Sequence, residues 1–340
     1  MSSLSREDAI AGALLGCALG DALGLPAEGM SSTSIARRFA REPDRFHLVG
    51  RTGFVSDDTE QTALVAEAFA AHAADDDVVS HFRRRLVGWF LRLPFGIGLA
   101  TLRACTKIML GVRDSGVRSA GNGAAMRAAI VGVILVDDPV RRRHLGRRLA
   151  RVTHTDDRAI DGALFVAELA AGFMHPAGSD RVAVVGAALD VVVEPSLRAA
   201  IDEALRLAGS DITDADAARA IGVTGFVMHT VPLVAFMVAR HGDDVLTAVR
   251  ATIAVGGDTD SNAAIVGAIV GARRGASSLP STLVARLHDG PFGPTHLRAL
   301  ATSLANRSAP PSWSGTVALV RNLALYPVVI AHVLRRLVPW

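Results

Sequence analysis

The chain has 340 residues, of which 50% are hydrophobic and only 5% aromatic, enough material for a packed core of small side chains. Its net charge of +3 is carried mainly by arginine, with Lys107 as its single lysine, and no stretch combines basic and aromatic residues as nucleic-acid binders do. Cys17 and Cys105 form no disulfide or zinc pattern, which is typical of proteins from a reducing cytoplasm.

Apolar residues recur at helical spacing along the whole chain, and no stretch alternates as a half-buried strand does. Residues 33–54 are polar and are expected to be irregular. We therefore expect an all-α, single multi-helix globular domain over residues 1–305. The predicted helices cover residues 8–24, 60–73, 77–93, 99–110, 153–172, 182–208 in two parts, 211–220, 225–240, 243–254, 280–289 and 294–305, with another after residue 127.

The first predicted helix contains Gly12, Gly16 and Gly20, whose spacing lets a neighbouring element approach closely. Its apolar stretch up to Cys17 imitates a lipoprotein cleavage site. Acidic residues precede that stretch, whereas an export signal begins with net positive charge. We therefore predict a buried first helix rather than an export signal.

The segment Ser56-Asp57-Asp58-Thr59 precedes a predicted apolar helix. Neighbouring carboxylates repel each other and raise each other's pKa unless a cation compensates them. One carboxylate at such a position can simply cap the helix by accepting hydrogen bonds from free backbone N–H groups. Because one acid is enough for a cap, the pair favours cation binding.

Two further turns lie at the starts of predicted helices. The glycine-rich segment Ser119-Ala120-Gly121-Asn122-Gly123 exposes backbone N–H groups that can hold a phosphate, although many ordinary helices start in this way. His154 lies in the polar turn before the helix that extends to residue 172. A histidine at such a position is commonly only a cap or a hydrogen-bonded residue, so a ligand contact is the alternative.

A second acidic loop, Gly256-Gly257-Asp258-Thr259-Asp260-Ser261, follows the first by about 200 residues and also precedes an apolar helix. The glycines permit a tight turn, and carboxylate and hydroxyl oxygens suit Mg²⁺, Mn²⁺ or Ca²⁺. Asp258 or Asp260 as a helix cap is the alternative. Two similar loops are better explained by one shared metal site, which requires helix packing to bring the two halves of the chain together.

Residues 306–340 read as a linker followed by an apolar C-terminal helix. Polar residues and a proline interrupt the apolar run of residues 317–333, and we expect it to be too short and too broken for a membrane span. We expect this helix to pack on the domain, with association with a membrane or a partner as the alternative.

Five motifs in this order resemble those of the ADP-ribosylglycohydrolases and together span residues 8–275. They are residues 20–24 with Glu28, residues 56–59, residues 121–127, residues 153–154 and residues 256–261. The resemblance implies an all-α fold with a central cleft that binds two divalent cations, Mg²⁺ or Mn²⁺. Members of the family hydrolyse the bond at the anomeric carbon of the distal ribose and release ADP-ribose.

Carried over by position, the resemblance implies roles for individual residues. Its metal ligands would be Ser56, Asp57, Asp58, Asp258, Asp260 and Ser261. Its contacts to the ribose and diphosphate of ADP-ribose would be Ser119, Gly121, Asn122, Gly123, Met126 and His154. Breaking a glycosidic bond needs an activated water and a protonated leaving group, and two metals can lower the pKa of a bound water. Glu28, Asp57 and Asp58 are the candidates for the general acid or base, and the sequence does not separate their roles.

The expected activity is metal-dependent hydrolysis of an ADP-ribosylated protein or small conjugate, such as ADP-ribosyl-arginine, by a cytoplasmic monomer. Nucleic acid enters only as an ADP-ribosylated substrate. The alternative is a non-catalytic module that binds ADP-ribose or a nucleotide, in which one of the carboxylates should be missing; here all are present. Ala120 and His229 depart from the family pattern and leave the acceptor open.

Overall fold

The structure is a computed structural model and describes residues 4–174 and 180–337. The described residues form almost only helices, which confirms the predicted all-α fold. These are α1 Arg6–Gly24, α2 Ser32–Phe39, α3 Asp57–Ala71, α4 Asp75–Phe90, α5 Leu99–Met109, α6 Ala129–Ile134, α7 Pro139–Arg151, α8 Asp157–Phe173, α9 Arg181–Ala188, α10 Pro195–Ala208, α11 Asp214–Ile221, α12 Val227–His241, α13 Val245–Ala254, α14 Thr259–Arg274, α15 Ser281–Val284, α16 Pro294–Asn306 and α17 Gly315–Leu337.

Helices α1 and α14 run antiparallel through the core with their backbones in contact. A Cβ added to Gly16 would lie 2.2 Å from the carbonyl oxygen of Gly267, and one added to Gly12 would lie 2.1 Å from that of Gly271. Gly20 lies equally close to the carbonyl oxygen of Ala263. The close approach predicted from the glycine spacing of the first helix is therefore confirmed, because any larger residue at these positions would force the two helices apart.

The antiparallel pairing places the C-terminal end of α1 beside the N-terminal end of α14. Two short strands, β1 Met30–Ser31 and β2 Gly256–Gly257, then pair in antiparallel orientation. The backbone N–H of Gly29 also donates to the carbonyl of Gly257 at 2.7 Å. The turn after α1 is thereby fixed next to the acidic loop that begins α14.

The expectation that residues 33–54 are irregular is wrong in its first part, because helix α2 begins at Ser32. The hydroxyl of Ser31 accepts from the backbone N–H of Ser34 at 3.3 Å and caps the helix. Only Ile35 of this helix is buried. With one buried position, the segment lacks the repeating apolar pattern from which a helix is predicted.

Among the described residues, two helices, α1 and α17, are long and apolar enough to cross a membrane by length and composition alone. The expectation that the C-terminal apolar run is too short for this is therefore wrong, because the helix extends beyond residues 317–333 at both ends. The apolar window of α1 is entirely buried within the protein, so the predicted buried first helix is confirmed. The apolar window of α17 is only 22% buried. Its inner face nevertheless contacts the rest of the protein, and its outer face carries exposed apolar side chains. Those of the outer face include Val317, Val320, Leu323, Ile330 and Leu334.

Polar contacts hold the inner face of α17 against the domain. Arg321 pairs with Glu60 of α3 and donates to the carbonyl of Pro291 at 3.0 Å. Asn322 donates to the carbonyl of Arg92 at 2.9 Å.

The proposed boundary at residue 305 stays a prediction. Residues 1–3 and 175–179 of the first predicted domain and residues 338–340 of the second lie outside the described residues.

Candidate functional site

The ends of α1, α3 and α14 and the turns before α6 and α8 surround a cleft of about 540 Å³. The structure brings nearly all the predicted site residues to its wall. Those lining it are Glu28, Asp57, Asp58, Ser119, Gly121, Asn122, Gly123, Met126, His154, Asp258, Asp260 and Ser261. Ser56 is buried behind the wall, with its hydroxyl 3.2 Å from Asp58 Oδ2.

Asp58 joins the two acidic loops. Its Oδ2 accepts from the hydroxyl of Ser56 on the first loop and from that of Ser261 on the second, each at 3.2 Å. Ser56 also caps α3, since its hydroxyl accepts from the backbone N–H of Asp58. Two loops that lie far apart in the sequence therefore share one buried carboxylate.

Asp21 holds the first acidic loop in place and is a residue whose role the sequence analysis missed. Its carboxylate accepts from the backbone N–H of Ser56 at 2.9 Å and from the N–H and hydroxyl of Thr59 at 3.2 and 2.5 Å. Burial raises its pKa to about 6, and these hydrogen bonds oppose the rise. The available signal was an aspartate inside an otherwise apolar helix, where a buried carboxylate needs partners.

Asp258 does not cap α14, so the capping alternative is wrong for this residue. It stands at the cap position without a capping hydrogen bond from its side chain. Its Oδ2 instead accepts from the amide of Asn122 at 2.7 Å. The second acidic loop is thus tied to the glycine-rich turn across the cleft.

The turn of the second acidic loop depends on glycine. Gly256 and Gly257 have φ angles of +83° and +81°, which side-chain-bearing residues rarely adopt. A Cβ on Gly257 would lie 2.0 Å from the carbonyl oxygen of Val223. The backbone at Val223 also holds the loop in place, because its carbonyl accepts a hydrogen bond from the N–H of Asp258 at 2.7 Å.

The acidic end of the cleft carries unbalanced negative charge. Burial and repulsion between neighbouring carboxylates hold the pKa values of Asp57, Asp58 and Asp260 well above the ordinary range of aspartate. The Oδ1 atoms of Asp58 and Asp260 are buried without a hydrogen-bond partner. Buried oxygens of this kind are hard donors that suit Mg²⁺ or Mn²⁺.

As their side chains stand, the described residues hold no group of three or more His, Cys, Asp or Glu side chains close enough to share an ion. The two serines that donate to Asp58 add hydroxyl oxygens to the predicted ligand set. Carboxylate and hydroxyl oxygens together fit a hard cation by their chemistry.

Glu28 differs from the other carboxylates of the cleft because it is exposed. It lies in the turn after α1, before Gly29, whose φ angle is +73°. Its negative charge contributes to raising the pKa values of Asp57 and Asp260. Glu28 therefore faces the same space as the buried carboxylates while remaining open to solvent.

The opposite end of the cleft is built from glycine-rich backbone and His154. The hydroxyl of Ser119 accepts from the N–H of Gly121 at 3.3 Å and shapes the turn. A Cβ added to Gly123 would lie 3.0 Å from Cε1 of His154. Burial, with the nearby charge of Arg127, lowers the pKa of His154 to about 3, so its ring is neutral at ordinary pH.

The two departures from the family pattern lie beside the cleft. His229 contacts Thr224, one of the lining residues, through a hydrogen bond of 2.8 Å between its Nδ1 and the threonine hydroxyl. Its ring also meets Phe226 edge-on. Ala120 packs against the core, and its carbonyl accepts from the N–H of Val227 at 2.8 Å. Ala120 lies between two lining residues, Ser119 and Gly121, and His229 contacts a third, but neither is itself among the described lining residues.

The chain is similar to known proteins over most of its length. The family model described as ADP-ribosylglycohydrolase matches residues 2–313. An uncharacterized protein of Archaeoglobus fulgidus is 32% identical over 88% of this chain and 96% of its own length. The ADP-ribosyl-[dinitrogen reductase] glycohydrolase of Rhodospirillum rubrum is 24% identical over 84% of this chain and 92% of its own length.

Solved structures show the same fold. A chain described as an ADP-ribosylglycohydrolase-related protein complex superposes with a TM-score of 0.70 and is 26% identical. The match covers 89% of this chain and 99% of that one. The family model matches most of the chain, and the fold agrees with that of a solved structure described by the same family name. The chain belongs to the ADP-ribosylglycohydrolase family.

Proposed function

We propose that this chain is a metal-dependent hydrolase that cleaves the glycosidic bond between ADP-ribose and an acceptor, with ADP-ribosyl-arginine or a related conjugate as substrate, and releases ADP-ribose. Family membership supports a hydrolase of the ADP-ribosylglycohydrolase type. The observation that carries the finer proposal is the division of one cleft into an acidic end and a neutral end lined by a glycine-rich turn, Ser119 and His154.

The acidic end is the proposed metal centre for two Mg²⁺ or Mn²⁺ ions. The proposed ligands are Ser56, Asp57, Asp58, Asp258, Asp260 and Ser261. Two such ions, when bound, orient ribose hydroxyls and lower the pKa of a bound water. Support comes from the buried, unpartnered oxygens of Asp58 and Asp260 and from the repulsion among the carboxylates, which positive charge would relieve.

Glu28 is the carboxylate that we propose to move a proton during the reaction. Asp57 and Asp58 are buried, and both belong to the proposed ligand set of the metal centre. Glu28 is exposed on the cleft wall and can reach a leaving group or a water from the solvent side. We expect Glu28→Gln to retain the metal and to lose turnover.

The neutral end is the proposed site of the ribose and diphosphate. Among the described lining residues of the cleft there is no lysine or arginine, so phosphate oxygens must be met by neutral donors. In the turn at residues 121–123 the N–H of Gly121 donates to Ser119 and that of Asn122 donates to the carbonyl of Gly225, so the backbone donor proposed for the ligand is the N–H of Gly123. Ser119 and His154 add side-chain donors. Asn122 connects this end to the acidic end through Asp258.

The alternative is a binding module for ADP-ribose or a nucleotide that lacks catalysis. Such a module has no use for buried carboxylates that repel each other, because they oppose folding unless a cation compensates them. The set of four aspartates and Glu28 in one cleft therefore favours the hydrolase.

We further propose a cytoplasmic monomer as the working form. Both cysteines are buried and unpaired in the described structure, as expected of a reducing compartment. Light scattering of the purified chain at several concentrations tests the monomer.

ADP-ribose release from a panel of conjugates tests the proposed function. The panel contains ADP-ribosyl-arginine, ADP-ribosyl-serine, O-acetyl-ADP-ribose and ADP-ribosylated nucleic acid, each with Mg²⁺, with Mn²⁺ and with EDTA. The proposal expects release that depends on metal from at least one conjugate, and that conjugate identifies the acceptor. Binding of ADP-ribose without release from any of them would instead support the binding module.

A further inference from the structure

A buried chain of hydrogen bonds crosses the floor of the cleft from the acidic end to His154. Gln61 donates through Nε2 to Asp57 Oδ2 at 3.0 Å, and its Oε1 accepts from Nη1 of Arg127 at 3.0 Å. Nη2 of Arg127 donates to the hydroxyl oxygen of Thr153 at 2.6 Å. That hydroxyl lies 2.8 Å from Nδ1 of His154.

Arg127 stands at the centre of this chain and is almost fully buried, with 2% of its surface exposed. A guanidinium group has five N–H donors and no acceptor. Its other hydrogen bonds go to the backbone carbonyls of Gly123 and Leu149, the latter at 3.3 Å. Because Arg127 can only donate, each side chain that it contacts must accept from it, and this fixes the direction of every further bond.

Toward the acidic end, the hydrogen bond donated by Arg127 determines how the side-chain amide of Gln61 is oriented. Gln61 must turn its oxygen toward Arg127, which leaves its NH₂ group to face Asp57. The carboxylate of Asp57 is then met by a donor and remains an acceptor. This arrangement suits a carboxylate whose other oxygen is offered to a cation.

Toward His154, the hydrogen bond that Arg127 donates to Thr153 determines which ring nitrogen of His154 carries the proton. The oxygen of Thr153 accepts from Arg127, so its own hydrogen needs a different acceptor, and Nδ1 of His154 is the one within reach. If Nδ1 carried the proton, the hydroxyl hydrogen of a side chain with 0% exposure would lack an acceptor, which is unfavourable. Nδ1 is therefore the acceptor, and the ring proton lies on Nε2.

We propose that Arg127, acting through Thr153, is a positioning residue that holds His154 as a neutral Nε2–H donor toward an oxygen of the bound ligand. The ligand group that His154 meets is thus an acceptor, such as a phosphate or ribose oxygen. The ligand part of this inference rests on the proposed function. The tautomer part does not, because it follows from buried contacts within the protein.

The experiment uses Thr153, because Arg127 also holds two backbone carbonyls and its removal would disturb the fold. Thr153→Val removes the hydroxyl at nearly constant volume, and Thr153→Ser restores it. Thr252→Val is the matched control, since Thr252 is also buried, does not line the cleft, and donates its hydroxyl to a backbone carbonyl of its own helix, that of Ala248 at 2.7 Å.

Two readouts are measured on each protein, the ¹⁵N shifts of the histidine ring without ligand and the Kd for ADP-ribose. The His154 signal is assigned from its absence in His154→Asn. We expect unprotonated Nδ1 and protonated Nε2 in the wild type. In Thr153→Val we expect a mixture of tautomers and a Kd about tenfold higher, as for the loss of one well-formed hydrogen bond. Thr153→Ser should match the wild type in both readouts.

A protonated Nδ1 in the wild type would overturn the proposal. So would a Thr153→Val protein that keeps both the wild-type tautomer and the wild-type Kd, or an equal change in Thr252→Val. A wild-type protein that shows the expected tautomer but does not bind ADP-ribose would contradict the proposed function and the ligand assignment, while the role of Arg127 in fixing the tautomer would stand. The two failures are therefore distinguishable.

Discussion

At the scale of a single residue, Asp58 shows how the site buries a carboxylate close to other carboxylates. Its carboxylate is buried, accepts from a hydroxyl of each acidic loop, and keeps one oxygen without a partner. Nearby carboxylates, with Asp57 the largest contributor among them, add repulsion to the effect of burial on its pKa. Such a residue opposes folding on its own and favours folding when a cation is bound.

This predicts opposite effects of Asp58→Asn on stability and on activity. Without metal, the variant should unfold at a higher temperature than the wild type, because an amide removes one of the mutually repelling charges. With metal, its turnover should fall at least ~100-fold, because a proposed metal ligand is lost. Thermal unfolding in EDTA and ADP-ribose release in Mg²⁺ check the two parts. Asp137→Asn at a side chain that is 90% exposed is the control and should change neither.

If the Asp58→Asn protein is less stable than the wild type in EDTA, repulsion between carboxylates does not destabilise the metal-free protein as proposed. Unchanged turnover that depends on metal would remove Asp58 from the ligand set. The two parts fail independently, because stability in EDTA does not depend on the activity.

The sequence pointed to the aspartates of the site because paired acids before apolar helices are unusual and call for a cation. The sequence patterns indicated no role for the residues that orient them, although Asp21 and Arg127 lie within two of the five motifs. Asp21, Gln61 and Arg127 act through contacts between different elements, for example from Asp21 to Ser56 and from Arg127 to Thr153. Such contacts depend on tertiary packing, which the local pattern does not contain.

At the scale of elements, the pair α1 and α14 is the part of the fold that positions the acidic end. Their backbones touch at successive glycines, and the pairing brings the turn of Glu28 to the loop of Asp258. Periodicity predicted both helices, and glycine spacing predicted a close approach. The partner of α1 could not be predicted, because the spacing does not say which helix approaches.

We predict that Gly16→Ala destabilises the protein by at least about 1–3 kcal/mol, since the added Cβ would lie 2.2 Å from a backbone oxygen of α14. Gly186→Ala is the matched control. Gly186 lies in helix α9 with no atom within 4 Å of an added Cβ, so alanine there should be neutral or stabilise by about 0.5–1 kcal/mol. Urea unfolding of both variants measures the difference. Equal stability of the two variants would contradict the close backbone contact.

At the scale of the whole molecule, α17 ties the end of the described chain to the site. Arg321 pairs with Glu60, which lies on α3 three residues after Asp57, and both side chains are more than 90% buried. Tyr326 donates to the carbonyl of Pro94 at 3.2 Å, and Pro94 precedes Gly96 on the cleft wall. The family match ends at residue 313, before this helix begins.

Breaking the buried pair should therefore be costly. We predict that Arg321→Ala lowers the free energy of unfolding by about 3–5 kcal/mol, because it leaves Glu60 buried without its counter-charge. The double variant Glu60→Gln with Arg321→Met removes both charges and should recover most of that loss. Urea unfolding of the single and double variants gives both values. A loss below about 1 kcal/mol in Arg321→Ala would show that α17 adds little to the domain.

The all-α class and most helices could be predicted because apolar periodicity is a local property. The contacts of α17 could not, because a buried arginine within an apolar helix does not reveal its partner. The sequence showed the interruption at Arg321 and Asn322 but not that both face the domain.

We propose above that cation binding by the two acidic loops is required for release of ADP-ribose. We would follow ADP-ribose release from the panel conjugate that is cleaved fastest, first with Mg²⁺, then after excess EDTA, then after Mg²⁺ is restored, with Asp258→Asn measured in parallel. The account predicts release by the wild type that stops in EDTA and resumes with Mg²⁺, and none by the variant. Release that continues in EDTA, or that proceeds equally in Asp258→Asn, would contradict it.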